Sequence, residues 1–101
     1  MEVDIERQGR RVLVNLNGRF DLKSNLTFRN VTRPLLGESD VDAIVIGFSR
    51  VSFVDSSALG LLLLLREQAS TANKKVILSN CGPDLTRLLS ISQFHTIFPI
   101  E

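Results

Sequence analysis

Val3 and Ile5 alternate with charged residues, a Gln8-Gly9 pair follows, and Val12, Val14 and Leu16 then alternate with polar positions. A period of two marks strands with one apolar and one wet face, so the chain opens with a predicted β-hairpin. Gly18 breaks the alternation. Ser24 is a candidate N-cap for a helix carrying Phe28, Val31 and Leu35 on one side, and Pro34 blurs where that helix ends. The run Ala43-Ile44-Val45-Ile46-Gly47-Phe48 has strand length and no polar interruption, the pattern of a central strand covered on both faces. A short extended piece at residues 51–54, the triplet Asp55-Ser56-Ser57 and a helical block to about Ala72 precede a second buried strand, Val76-Ile77-Leu78. Pro83 suits a first helical position, and Leu85, Leu88 and Leu89 give the last helix its apolar face. Ile97-Phe98-Pro99-Ile100 adds an edge segment, where proline is tolerated. The order β-β-α-β-α-β-α with this final segment predicts an α/β fold, a mixed sheet packed with helices through right-handed crossovers.

At 101 residues the chain has the size of one domain, residues 1–101, without a linker-like stretch or internal repeat. With 44% hydrophobic and 23% charged residues it lies in the globular range. Twelve Lys and Arg against 11 Asp and Glu leave a formal charge of +1, too balanced for an electrostatic nucleic-acid footprint. Arg7, Arg10 and Arg11 read as a solvated hairpin turn. The first residues resemble no secretory signal, and the longest leucine run, residues 61–65, is far shorter than a membrane span. No membrane partner is expected, and the expected location is the cytoplasm. Cys81 has no partner for a disulfide and reads as a small buried hydrophobe. In such a compartment the sequons at Asn25 and Asn30 carry no meaning.

Catalysis finds little material. There is one histidine, one cysteine and no tyrosine or tryptophan. Ser56, Asp55 and His95 lack the glycine pattern of a nucleophile elbow, and the six glycines are scattered singly without forming a phosphate loop. Asp40 and Asp42 read as a solvated turn, so no metal or cofactor is expected.

The triplet at 55–57 is the informative stretch. Asp55 is a strong N-cap, which makes Ser56 the first helical residue. Winding the helix at about 100° per residue puts Ala58, Leu61, Leu62, Leu65 and Ala69 on a core side. Ser56 then points outward with Leu59, Gly60, Leu63, Glu67 and Ser70, and Ser57 falls on the flank near Leu64. Leucines at 59 and 63 on an outward face require a cover, from another protein or from the first helix or a loop of this chain.

Asp55-Ser56-Ser57-Ala58-Leu59-Gly60-Leu61, preceded by Phe48-Ser49-Arg50-Val51-Ser52-Phe53-Val54, resembles the signature of STAS domains of the anti-sigma-factor antagonist type. Gly18-Arg19-Phe20-Asp21 is similar to that family's Gly-x-hydrophobic-Asp turn, and residues 97–100 to its closing segment. The resemblance implies a regulatory binding protein and no enzyme. Ser56 would be phosphorylated by a serine kinase of the anti-sigma type and reset by a PP2C-like phosphatase. The unphosphorylated form would bind an anti-sigma factor or other regulator. Asp21, Asp55, Ser57, Leu59, Gly60 and Leu63 are the expected partner-binding or site-shaping residues. The chain departs from the family pattern at Ala58, where glycine is common, and at Gly47, where relatives often carry aspartate. A second reading is a constitutive STAS subunit of a transporter or lipid-trafficking complex.

Overall fold

The computed structural model describes Met1–Glu101 throughout. The predicted hairpin is there: β1 (Glu2–Gln8) pairs antiparallel with β2 (Arg11–Phe20), and Gly9 takes the left-handed φ of +64° that closes the turn. Gly18 does not end β2. It adopts φ +102° inside the strand, next to a register shift, so the glycine bends the strand where an L side chain would be strained.

After a short 3-10 helix, Leu22–Ser24, come α1 (Asn25–Leu36), β3 (Ala43–Val54), α2 (Ser56–Thr71), β4 (Lys75–Ser79), α3 (Pro83–Ile91) and a last 3-10 helix, Phe94–Thr96. Pro34 lies in the final turn of α1, where the helix has only two residues left to run. β3 is one strand of 12 residues and not a core strand followed by a separate piece. Two register shifts against β2, one between Gly47 and Arg50 and one between Val51 and Phe53, let it run past its polar residues. The sheet order is β1-β2-β3-β4 with β2, β3 and β4 parallel, and Ile100 forms a parallel bridge to Leu78 beyond β4.

Because strand order follows chain order, right-handed crossovers carry α1 and α2 to the same face of the sheet. The main core lies there. Val12, Val14 and Leu16 of β2, Ile44, Ile46 and Phe48 of β3, and Val76 and Leu78 of β4 meet Phe28 and Leu35 of α1 and Leu62 and Leu65 of α2. Fully burying such a side chain contributes about 1.5–3 kcal/mol relative to leaving it in water. Leu85 and Leu89 of α3 and Phe98 close the same cluster. Thr32, a buried polar residue of α1, is satisfied by donating to the Phe28 carbonyl at 2.9 Å. On the opposite face only Ala43, Val45 and Ile77 form a small cluster, flanked by Leu13.

The arginines of the hairpin are tied to acidic partners. Arg7 pairs with Glu38 at 2.7 Å, Arg10 grips both carboxylate oxygens of Asp42 at 2.7 and 3.0 Å, and Arg11 pairs with Glu101 at 2.7 Å. Hydrogen bonding from Arg10 holds the Asp42 carboxyl below its usual range, and Glu38 and Asp42 raise Arg7 and Arg10. The hairpin turn is thereby fastened to the loop before β3, and these arginines do not form a free phosphate-binding patch. Cys81 is half-buried, and loss of solvation pushes its thiol up. No helix is long and apolar enough to cross a membrane.

Candidate functional site

The site lies where β2 and β3, paired side by side, both reach their C-terminal ends. β3 delivers Asp55 in extended conformation at φ −115° and ψ 179°, so its carboxylate folds over the first turn of α2 and accepts from Ala58 N at 3.0 Å. This is the predicted N-cap, and Ser56 is the first residue of α2. Asp55 N donates to the Phe20 carbonyl at 3.4 Å, which ties the start of α2 to the end of β2.

Asp21, the next residue of β2's exit, builds a second cap beside it. Its carboxylate accepts from Lys23 N at 3.1 Å, and Ser24 Oγ accepts from Asp21 N at 3.2 Å, closing a capping box around Leu22–Ser24. Ser24 does not cap α1 as its position suggests. Its backbone is already helical, and its hydroxyl turns back to donate to the Arg19 carbonyl at 2.8 Å.

Ser56 and Ser57 are both exposed, and neither hydroxyl is held by a hydrogen bond within the chain. Exposure alone therefore separates them less than the helical wheel does. Gly60 is also exposed, and a Cβ added there would meet nothing within 4 Å, so no internal contact requires the glycine. Leu63 is half-buried and Leu64 is exposed.

Leu59 is a correction. It is 4% exposed and belongs to the main core with Ala58, Leu62, Leu65 and Ala69, whereas Leu61 is only half-buried. The buried stripe of α2 includes Leu59 in the main core, and both α1 and the first 3-10 helix pack against this helix. The outward face consists of Ser56, Gly60, Leu64 and Glu67, with Leu63 at its margin.

The remainder of the site had no sequence signal. Arg19 stacks its guanidinium 4.0 Å over the Phe53 ring, at a register position that β2–β3 pairing creates, and reaches Asp21 Oδ2 at 3.5 Å. Leu22 and Leu26 are 66% and 71% exposed on the segment that packs against α2. They lie off the Phe28–Leu35 stripe, which is the one pattern that could have marked them as outward-facing. His95 sits exposed in the last 3-10 helix, and no hydrogen bond joins it to Ser56 or Asp55.

The two departures from the family pattern have physical accounts. Ala58 is fully buried, so a small side chain fits. Gly47 is buried against Asn15, whose carboxamide occupies the space a side chain at 47 would need, so a larger residue there requires Asn15 to turn aside.

An α/β sheet with a serine exposed at an aspartate-capped helix start agrees with what comparison finds: the chain belongs to the STAS-domain family, whose model matches residues 2–101. It is 34% identical over 93 residues to a STAS-domain containing protein of Pseudomonas aeruginosa (strain UCBPP-PA14), covering 92% of this chain and 90% of that one. Among solved structures it is similar in fold to the anti-sigma factor antagonist SpoIIAA in its unphosphorylated form, with a TM-score of 0.74, 24% identity and coverage of 99% and 87%. The phosphorylated Bacillus SpoIIAA matches with a TM-score of 0.75 at 23% identity, covering 99% and 91%. An anti-sigma factor antagonist from Mycobacterium paratuberculosis matches at 0.85 with 20% identity, covering 98% and 83%.

Proposed function

We propose that this protein is a phosphorylation-controlled binding partner, the substrate of other enzymes and not a catalyst itself. Its unphosphorylated form binds an anti-sigma factor or comparable regulator through the face around Ser56, Gly60 and Leu63. A serine kinase of the anti-sigma type modifies Ser56, the complex dissociates, and a PP2C-like phosphatase restores the free hydroxyl. The observation that carries this reading is the exposed, unbonded Ser56 hydroxyl at the first position of a capped helix.

A phosphate on Ser56 would add about −1.5 to −2 charges where the helix macrodipole favours an anion by about 0.3–1 kcal/mol. The fold tolerates it. The same charge pressed unpaired into a protein interface costs on the order of 3–5 kcal/mol. At about 1.4 kcal/mol per decade, that is a loss of affinity of roughly a hundred- to several-thousand-fold. Binding would switch while structure would not.

The test pairs the protein with its kinase and ATP and reads the modified residue by peptide mass spectrometry. Phosphate at Ser56, lost in Ser56→Ala, and a weaker partner isotherm for the phosphorylated form are expected. Full labelling of Ser56→Ala would move the site to another residue. Partner binding that ignores Ser56→Asp would instead describe a constitutive subunit of a larger assembly.

A further inference from the structure

The outer edge of β4 is met at Leu78 by residues 99–101, and two further strand edges have no strand beside them and are treated differently. The outer edge of β1 carries Glu2, Asp4, Glu6 and Arg7 within seven residues. Charges at such density discourage another strand from adding. The second edge belongs to β3. It pairs with β4 only as far as Gly47, opposite Ser79, yet stays paired with β2 as far as Val54. Along residues 49–54 the flank of β3 facing away from β2 has no strand beside it, and the only charge in this stretch is Arg50.

Where β4 would have continued, the chain instead turns through Asn80, at φ 55°, into α3. A cleft of about 450 Å³ is left between β3 and α3. Phe48, Val51 and Phe53 line one wall, and Pro83, Leu85 and Leu88 the other. Backbone N–H and C=O groups on an unpaired edge require water or another backbone as partner. An apolar cleft along such an edge favours the backbone. Asp84 is the only ionised side chain lining the cleft and forms no ion pair.

We propose that this cleft is a peptide-binding site. An extended segment of a partner protein adds as a strand to residues 49–54 of β3, sets alternate apolar side chains between β3 and α3, and carries a lysine or arginine that meets Asp84. An extended occupant fits because a strand can pair with several of the edge groups that water otherwise serves, and a basic one because the lining charge is a single carboxylate. The site does not depend on phosphorylation of Ser56.

The test selects linear decapeptides from a random displayed library against the full chain and follows a synthetic copy of an enriched peptide. Enriched sequences should alternate apolar residues and contain Lys or Arg. The synthetic peptide should slow amide hydrogen exchange within residues 49–54. N-methylation of alternate peptide residues along one edge should weaken binding about tenfold or more, and along the other edge should not. Asp84→Lys, an exposed position that leaves the fold intact, should weaken a basic peptide by about tenfold, near 1.4 kcal/mol. Three results would overturn the proposal: no peptide enriched, protection confined to α2, or affinity indifferent to N-methylation. Protection of residues 49–54 that appears without peptide and rises with protein concentration would assign the edge to a second copy of the chain, and so would also overturn it.

Discussion

β2 and β3 lie side by side, and each leads into an aspartate that caps the adjoining helical turn, with a serine close behind. Yet the two serines meet opposite fates. Ser24 is 4% exposed, and its hydroxyl both accepts from Asp21 N and donates to the Arg19 carbonyl. Ser56 is exposed and bonded to nothing. The difference comes from spacing. In the first turn the serine stands three residues after the aspartate, at the position that closes a capping box, and in the second it stands one residue after, at the first helical position, which is not the capping-box position. One turn uses its serine as structure and the other leaves its serine hydroxyl free. The fold can therefore lose the Ser56 hydroxyl without cost and cannot lose that of Ser24.

The largest effect that would break this comparison lies just past the second turn. Leu59→Lys should cost about 3–5 kcal/mol, because a core leucine is replaced by a charge with no partner. Leu63→Lys, at the half-buried margin, should cost about 1 kcal/mol and weaken partner binding instead. Denaturant midpoints of the two variants check this, and equal midpoints would mean that α2 is turned differently on its axis. Next, Ser24→Ala should destabilise by about 1–3 kcal/mol, since Asp21 N and the Arg19 carbonyl lose their partner, while Ser56→Ala should change stability by less than about 0.5 kcal/mol. Thermal melts of both variants measure the contrast directly.

Asp55→Ala should cost about 1 kcal/mol as a lost cap. A melt matching the parent would remove Asp55 from that role. The smallest effect has the opposite sign: Gly60→Ala should stabilise by about 0.5–1 kcal/mol, because glycine weakens a helix interior and the added methyl meets nothing. If the same substitution weakens partner binding, the bare backbone at 60 serves an incoming surface and not the fold.

Local features were legible in the sequence and tertiary ones were not. The hairpin, the β-α-β unit, Pro83 at the start of α3 and the Asp55 cap each arise from residues adjacent in the chain. The rotation of α2 does not. Leucines at 59 and at 61–65 crowd every side of the wheel, so no clean stripe exists, and the buried azimuth is set by the elements that pack on α2 from elsewhere in the chain. The length of β3 was hidden because Gly47, Ser49 and Arg50 break its apolar run, while pairing to β2 continues past them through two register shifts. Asp21 with Ser24 three residues on has the spacing of a capping box, but serine is weaker in that role than glutamate. Its place directly before α1 makes a cap of that helix the simpler local reading. The Arg19–Phe53 stack depends on parallel register, which no single strand encodes.

The order of strands in the sheet, identical to their order in the chain, bears on how the molecule forms as it is synthesised. Each strand added from the N-terminus finds its neighbour already made, so no strand waits for a distant segment before it can pair, and every loop closed is that of one crossover. Both aspartate turns and all of α2 are contained in the first 71 residues. The serine face can thus take shape on a nascent chain while β4, α3 and the bridge at Ile100 are still to come. A ribosome-stalled series of increasing length, probed by protease, should gain protection in steps that track the sheet from β1 outward.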